Sequence, residues 1–309
     1  MTADQFSVRA RLLRWALAVY PASYGPGARA EVAHHAERHI AGAGRLAGLR
    51  EVADVAGHGA RVRLGLVSHR PPGRALATAA PLAAMLAGTF AAWHLWAFVR
   101  IVRGGGLDSF GPSGARTVAV TVLMLAPAVL MMLAVLAGQR TTARVLALVA
   151  ATATPLFAAL FQPVLCDYQV VLIAFNALVL LAAPPDHTSH QGRALPWTVA
   201  LSITAGDVIV ASAGGRLGDW AAGTAFYFVA PVVTGAAVAS TARTVRNAAS
   251  ATAVLAGPPL LGPLLLDMGP NHRALVLLPV VLFTAGYAIA YVTVGLTTRI
   301  AHRPGPQHP

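Results

Sequence analysis

Residues 75–99, ALATAAPLAAMLAGTFAAWHLWAFV, run from just after Arg74 to just before Arg100 without an acidic or basic charge other than the titratable His94. A helix needs about 20 mostly apolar residues to cross a bilayer core, so this stretch is long enough to span one. Stretches of the same kind follow at 117–138, 145–165, 168–184, 196–213, 220–240, 248–266 and 275–297. The expected fold class is all-α, a polytopic membrane helix bundle of about eight spans behind a small helical amino-terminal domain. The fourth stretch is short and follows the third after only Cys166 and Asp167, which leaves a tight hairpin or a partly re-entrant pair open.

Composition agrees with that class. The chain has 309 residues, of which 56% are hydrophobic and 11% charged, and a mean hydropathy of +0.64. Its charged share is roughly half that of soluble domains. The single Cys166 excludes an intrachain disulfide and a multi-cysteine zinc site.

The formal net charge of +12 would suggest nucleic acid in a soluble protein. Its placement argues otherwise. Eleven arginines (Arg9, Arg11, Arg14, Arg29, Arg38, Arg45, Arg50, Arg61, Arg63, Arg70 and Arg74) precede the first span, against five acids: Asp4, Glu31, Glu37, Glu51 and Asp54. A basic segment ahead of a membrane helix is held in the cytoplasm by the positive-inside rule. The expected counter-charge is anionic lipid headgroups, with nucleic acid disfavoured. Arg61, Arg63, Arg70 and Arg74 stand nearest the span, where each adds about 1 kcal/mol of attraction to an acidic leaflet.

The apolar run Trp15 to Tyr20 is too short for a secretory signal and ends at Pro21. Three helices are expected instead. Residues 7–20 place Val8, Leu12, Leu13, Ala16 and Val19 along one stripe; residues 28–43 group Val32, Ala36 and Ile40; residues 45–68 group Leu46, Leu49, Val52, Val55 and Ala56. The resulting divisions are a cytoplasmic basic helical domain at 1–72, a transmembrane domain at 73–298 and a cytoplasmic tail at 299–309.

With both termini inside, the membrane part places Arg140, Arg144, Arg193, Arg243, Arg246, Arg299 and Arg303 in the cytoplasm. Arg100, Arg103, Arg116, Arg216 and Arg273 then fall in outside loops. That bias is slight, and the amino-terminal arginines set the orientation. Gly104-Gly105-Gly106 reads as a flexible connector in the first outside loop. Trp93 and Trp96 suit either an interfacial belt or packing, as do Trp220 and Tyr227.

A faint duplication relates the first four spans to the last four. Gly73-Arg74-Ala75-Leu76 recurs as Gly192-Arg193-Ala194-Leu195, and Ala126-Pro127 as Ala230-Pro231; Pro155 has a counterpart in Pro258 or Pro259. A parallel four-plus-four repeat and chance matching in a chain rich in Ala, Leu and Gly both account for it.

The amino-terminal segment carries Leu12-Leu13-Arg14, Tyr20-Pro21-Ala22-Ser23-Tyr24, Glu31, Gly44-Arg45-Leu46, Leu49 through Asp54 and Arg61-Val62-Arg63-Leu64-Gly65-Leu66. Over about the first 70 residues it resembles the leader domain of uncharacterised actinobacterial integral membrane proteins. Gly25-Pro26-Gly27 departs from the more charged stretch of that group. The resemblance implies an actinobacterial cell membrane and no particular activity.

Candidate intramembrane residues are Asp207, His94 and Asn176. A carboxylate inside a span costs several kcal/mol unless protonated or paired, so Asp207 marks an ion path, a proton relay or a polar helix contact. The last is the commoner role, and Ser202, Thr204 and Ser212 lie near it in sequence. His94, beside two tryptophans, reads more readily as an interfacial anchor than as a ligand; Gln162 sits near the end of the third span. In the amino-terminal domain Glu31, His35 and His39 share a helix face, but His35-Ala36-Glu37-Arg38-His39 lacks the zincin spacing, and a solvated face is the simpler reading.

No phosphate loop with Lys occurs, because the chain has no Lys, and no Gly-x-Ser-x-Gly elbow is present. The chain is expected to be non-enzymatic and to need no cofactor or metal. Two function classes remain. One is a sensor or scaffold whose residues 1–72 bind a protein partner or the inner leaflet. The other is a secondary transporter or permease subunit for a small solute.

Overall fold

The computed structural model describes residues 3–41, 44–105, 114–161, 167–184, 194–213, 229–230, 232–238, 240 and 247–255. Every regular element among them is helical, and the chain divides into two compact units, in the main between Arg74 and Ala75.

The first unit contains α1 (Ala3–Ala18), a 3-10 turn (Ala22–Tyr24), α2 (Pro26–Ala41) and α3 (Arg45–Leu64). Pro21 is extended, with φ −64° and ψ 153°, and Gly25 has φ 64°, so the chain leaves one helix and enters the next at Pro26, where a missing N–H costs nothing. Arg29 Nη2 donates to the carbonyls of Pro21 at 2.6 Å and Tyr20 at 3.3 Å, which covers acceptors left behind where α1 ends. α3 closes on Gly65 at φ 72°, with Leu66 N–H donating to Arg61 at 2.7 Å and Gly65 N–H to Val62 at 3.1 Å. This is a Schellman closure, and the helix ends four residues short of the expected 45–68.

The core of this unit is Leu13, Ala16, Tyr20, Ala36, Ile40 and Val55. The stripe expected on α1 therefore splits. Leu13 and Ala16 are buried, whereas Val8 and Leu12 are exposed at 54% and 36%, and Trp15 is exposed at 72%. The side of α1 turned to α3 carries Arg9 instead, buried against Gly48.

α4 covers Pro71–Gly105 and begins four residues before the boundary; the second unit continues with α5 Gly114–Leu136, α6 Arg140–Phe161, α7 Asp167–Ala182 and α8 Ala194–Ala213. The helices Pro71–Gly105, Gly114–Leu136 and Arg140–Leu160 are long and apolar enough to cross a membrane, and Val170–Ala182 and Leu195–Gly206 are shorter apolar helices. The protein is thus an all-α, multi-pass integral membrane protein by the character of its helices. Much of the expected sixth and seventh spans lies outside the described residues, as do the eighth, the tail, Gln162, Trp220, Tyr227 and the carboxyl-terminal proline counterparts of the repeat. The four-plus-four arrangement rests on those segments.

With 35 residues α4 is about 52 Å long, well beyond a hydrocarbon core. Arg100, Arg103, Gly104 and Gly105 lie on it and not in a connecting loop. Nothing between Val99 and Arg103 interrupts the ladder of backbone hydrogen bonds, and a glycine within a helix costs only about 1 kcal/mol. Arg116 likewise belongs to α5, and Arg140 and Arg144 to α6. Trp93 is packed inside while Trp96 is exposed, with the Arg100 guanidinium 5.2 Å from its ring centroid.

α5 ends on Gly138 at φ 74°, with Gln139 N–H on Ala134 at 2.8 Å and Gly138 N–H on Val135 at 3.0 Å. The same closure as at Gly65 turns the chain directly into α6. α7 returns antiparallel to α6, since Arg144 Nη2 at the start of α6 donates to the Ala183 carbonyl just past α7 at 2.7 Å. A packed helix pair thus follows α5, with residues 162–166 outside the described set. The interior is dominated by small residues, among them Ala79, Ala83, Ala84, Ala87, Ala91, Ala128, Ala147 and Ala150. Small side chains let membrane helices approach closely and gain dispersion contacts where lipid offers no hydrophobic drive. Leu123, Leu133, Leu156, Leu160, Leu201 and Ile209 are exposed, the arrangement of a surface solvated by lipid.

Candidate functional site

Prolines and threonines organise the polar interior of the bundle. Pro81, Pro127 and Pro155 lie within α4, α5 and α6, and each removes one helix hydrogen bond and crowds the carbonyls of the preceding turn. Thr154 Oγ1 donates across the interface to the Met124 carbonyl at 3.3 Å, one turn before Pro127. Thr89 Oγ1 donates back to Met85 at 2.6 Å and Thr234 Oγ1 to Ala230 at 2.6 Å. Such back-bonds satisfy a hydroxyl in lipid without a partner helix.

Asn176, on α7, is 1% exposed. Its Nδ2 donates to the Leu172 carbonyl at 2.9 Å, and its Oδ1 meets no donor among the described residues. Thr121 Oγ1 on α5 is in the same condition. His94, on α4, donates from Nδ1 to the Phe90 carbonyl at 2.9 Å, and its ring centroid stands 4.1 Å from that of Phe90. Asp207 belongs to α8, but its side chain lies outside the described residues. The residue before it, Gly206, is tightly covered: a Cβ there would come within 2.5 Å of Val229 Cγ1. Only the Nδ2 of the Asn176 amide is spent on its own helix.

The other chemically dense region is in the first unit. Tyr24, Glu31, His34, His35, Arg38 and Glu51 border a cleft of about 420 Å³ between α2 and α3. The rings of His35 and His39 stand 4.5 Å apart. Among the described residues no group of three or more His, Cys, Asp or Glu is placed to hold a metal ion.

Beneath this region Tyr20 is packed on Tyr24 at 4.8 Å and His58 at 5.7 Å between ring centroids. Its hydroxyl is buried and meets no hydrogen-bond partner among the described residues. Burial and the neighbouring Tyr24 push the phenol up to about 12, against an opposing pull from Arg61. Arg61 is half-buried, whereas Arg63, Arg70 and Arg74 are exposed. The four arginines thus differ in setting: one is drawn toward the tyrosine and three face outward.

Asn176, His94 and Asp207 stand out in the sequence because amides, imidazoles and carboxylates are conspicuous in apolar runs, whereas Thr121, Thr154 and Tyr20 do not. No family model, no curated protein and no solved structure matches this chain.

Proposed function

We propose that the protein is a non-enzymatic sensor or scaffold of the cell membrane whose amino-terminal helical unit is its working part. The observation that carries this reading is that the unit has a core of its own, Leu13, Ala16, Tyr20, Ala36, Ile40 and Val55, while an ionisable cleft remains open beside it. A domain with its own core holds surface residues in fixed positions for a partner. Both termini are cytoplasmic in this reading, the exposed arginines Arg63, Arg70 and Arg74 face anionic headgroups, and the cleft faces a protein partner. The resemblance of the first 70 residues implies an actinobacterial membrane as its setting. The test is a crosslinked pull-down from native membranes, comparing the full chain with one lacking residues 1–70 after both are shown to insert. A stoichiometric partner lost on deletion supports the reading; the same partner retained on deletion overturns it.

A secondary transporter or permease subunit is the second reading. It is favoured by the buried, donorless Asn176 Oδ1 together with Asp207 on α8. Solute uptake abolished by Asp207→Asn, with partner capture unchanged, would select it.

A further inference from the structure

We propose that the outer face of α1 is an interfacial docking surface for the anionic cytoplasmic leaflet. Val8, Leu12 and Trp15 fall at i, i+4 and i+7, on one face of the helix. All three are exposed, at 54%, 36% and 72%. The core-facing residues Leu13 and Ala16 are centred about 100° away around the helix. Arg11 and Arg14, both exposed, border the apolar stripe on the side away from the core. An apolar stripe with an exposed tryptophan and a flanking cationic edge is the pattern of a helix lying in the headgroup region, where the indole sits at the interface and the guanidiniums reach phosphates.

Charge complementarity calls for an anionic occupant, which an acidic cytoplasmic leaflet supplies. From Gln5 to Ala30 the chain has no acidic residue, while it carries Arg9, Arg11, Arg14 and Arg29. The connection to the first long apolar helix is short: α3 ends at Leu64 and α4 begins at Pro71. Six residues reach at most about 20 Å, so the leaflet is always within range and a weak surface suffices. A stripe of three side chains gives reversible attachment that depends on lipid charge. The unit then reads the anionic content of its own leaflet, a property that rests on the cytoplasmic placement of the amino terminus proposed above but not on the existence of a protein partner.

The test uses the full chain with Cys166→Ser and Val8→Cys, labelled at residue 8 with an environment-sensitive fluorophore. It is reconstituted in vesicles of phosphatidylcholine, or of phosphatidylcholine mixed with phosphatidylglycerol. Doxyl-labelled lipid should quench the probe in the mixed vesicles and much less in phosphatidylcholine alone. Arg11→Gln and Arg14→Gln should each lower the docking equilibrium about fivefold, and Trp15→Ser should reduce quenching in both lipids. A probe that stays in water in both vesicles overturns the proposal. So does protection that follows protein density and not lipid charge, which would identify a second copy as the occupant. The pull-down with residues 1–70 deleted is scored independently, so failure of leaflet docking leaves the partner reading separately decided.

Discussion

Thr154 on α6 donates its hydroxyl to the Met124 carbonyl of α5 at 3.3 Å, and both residues are completely buried. The acceptor lies three residues before Pro127, where the proline ring disturbs the helix ladder. The bond thus ties two membrane helices together within a turn of Pro127.

Thr154→Val keeps the shape and removes the donor. It is expected to destabilise the bundle by about 0.5–1 kcal/mol, the usual worth of an interhelical hydrogen bond in a membrane. Thr154→Ser should lie between the two. Reversible unfolding in mixed micelles measures the difference, and a Val variant as stable as the parent would remove the bond from the account.

Gly88 on α4 faces Met132 on α5 so closely that an added Cβ would lie 2.2 Å from Met132 Cβ. Gly88→Leu should force the helices apart and cost at least about 1–3 kcal/mol. Met132→Ala in the same chain should recover part of the loss, because the two positions share one contact. Additive effects in the same unfolding measurement would show that the contact is absent.

Gly59 on α3 lies under the Tyr20 ring, where a Cβ would meet Cδ2 at 2.7 Å. Gly59→Ala is expected to loosen the first unit by about 1–3 kcal/mol despite the better helix propensity of alanine. Hydrogen exchange in α1 and α3 of the full chain should speed up, while exchange in α5 and α6 stays unchanged.

Tyr20 also sets a pH dependence. Its phenol is raised from an ordinary 10 to about 12 in the folded chain, so between those values the unfolded state has lost a proton that the folded state keeps. Stability of the first unit is full below pH 10 and falls as pH rises toward 12. Tyr20→Phe should flatten that slope and cost little at neutral pH, since the hydroxyl it deletes meets no partner among the described residues. Hydrogen exchange in α1, followed against pH in both proteins, checks the sign.

Asn176→Leu separates the two readings of the buried amide. If Asn176 only packs, removing an acceptor that meets no donor among the described residues offsets the lost Nδ2 bond to Leu172, and the variant is about as stable as the parent. If it belongs to a solute path, uptake falls while the unfolding midpoint holds or rises.

The arrangement of apolar runs determined the membrane class and the positions of α4 through α8. In lipid every helix must satisfy its own backbone, so hydropathy and length locate it without knowledge of its neighbours. Asn176, His94 and Asp207 stand out in the sequence for the same reason, as polar groups within apolar runs. Helix faces were not. On α1 the sequence offers Val8, Leu12, Leu13, Ala16 and Val19 as one apolar stripe, and only the packing against α2 and α3 decides that Leu13 and Ala16 are covered while Val8 and Leu12 remain outside. Likewise Trp93 and Trp96 are equivalent tryptophans in the sequence, yet one is packed and the other exposed. Periodicity measures the width of an apolar stripe, whereas which part of it is buried depends on a second helix far away in the chain. The link from Thr154 to Met124 is of that second kind, because a hydroxyl finds a distant carbonyl only after α5 and α6 have docked.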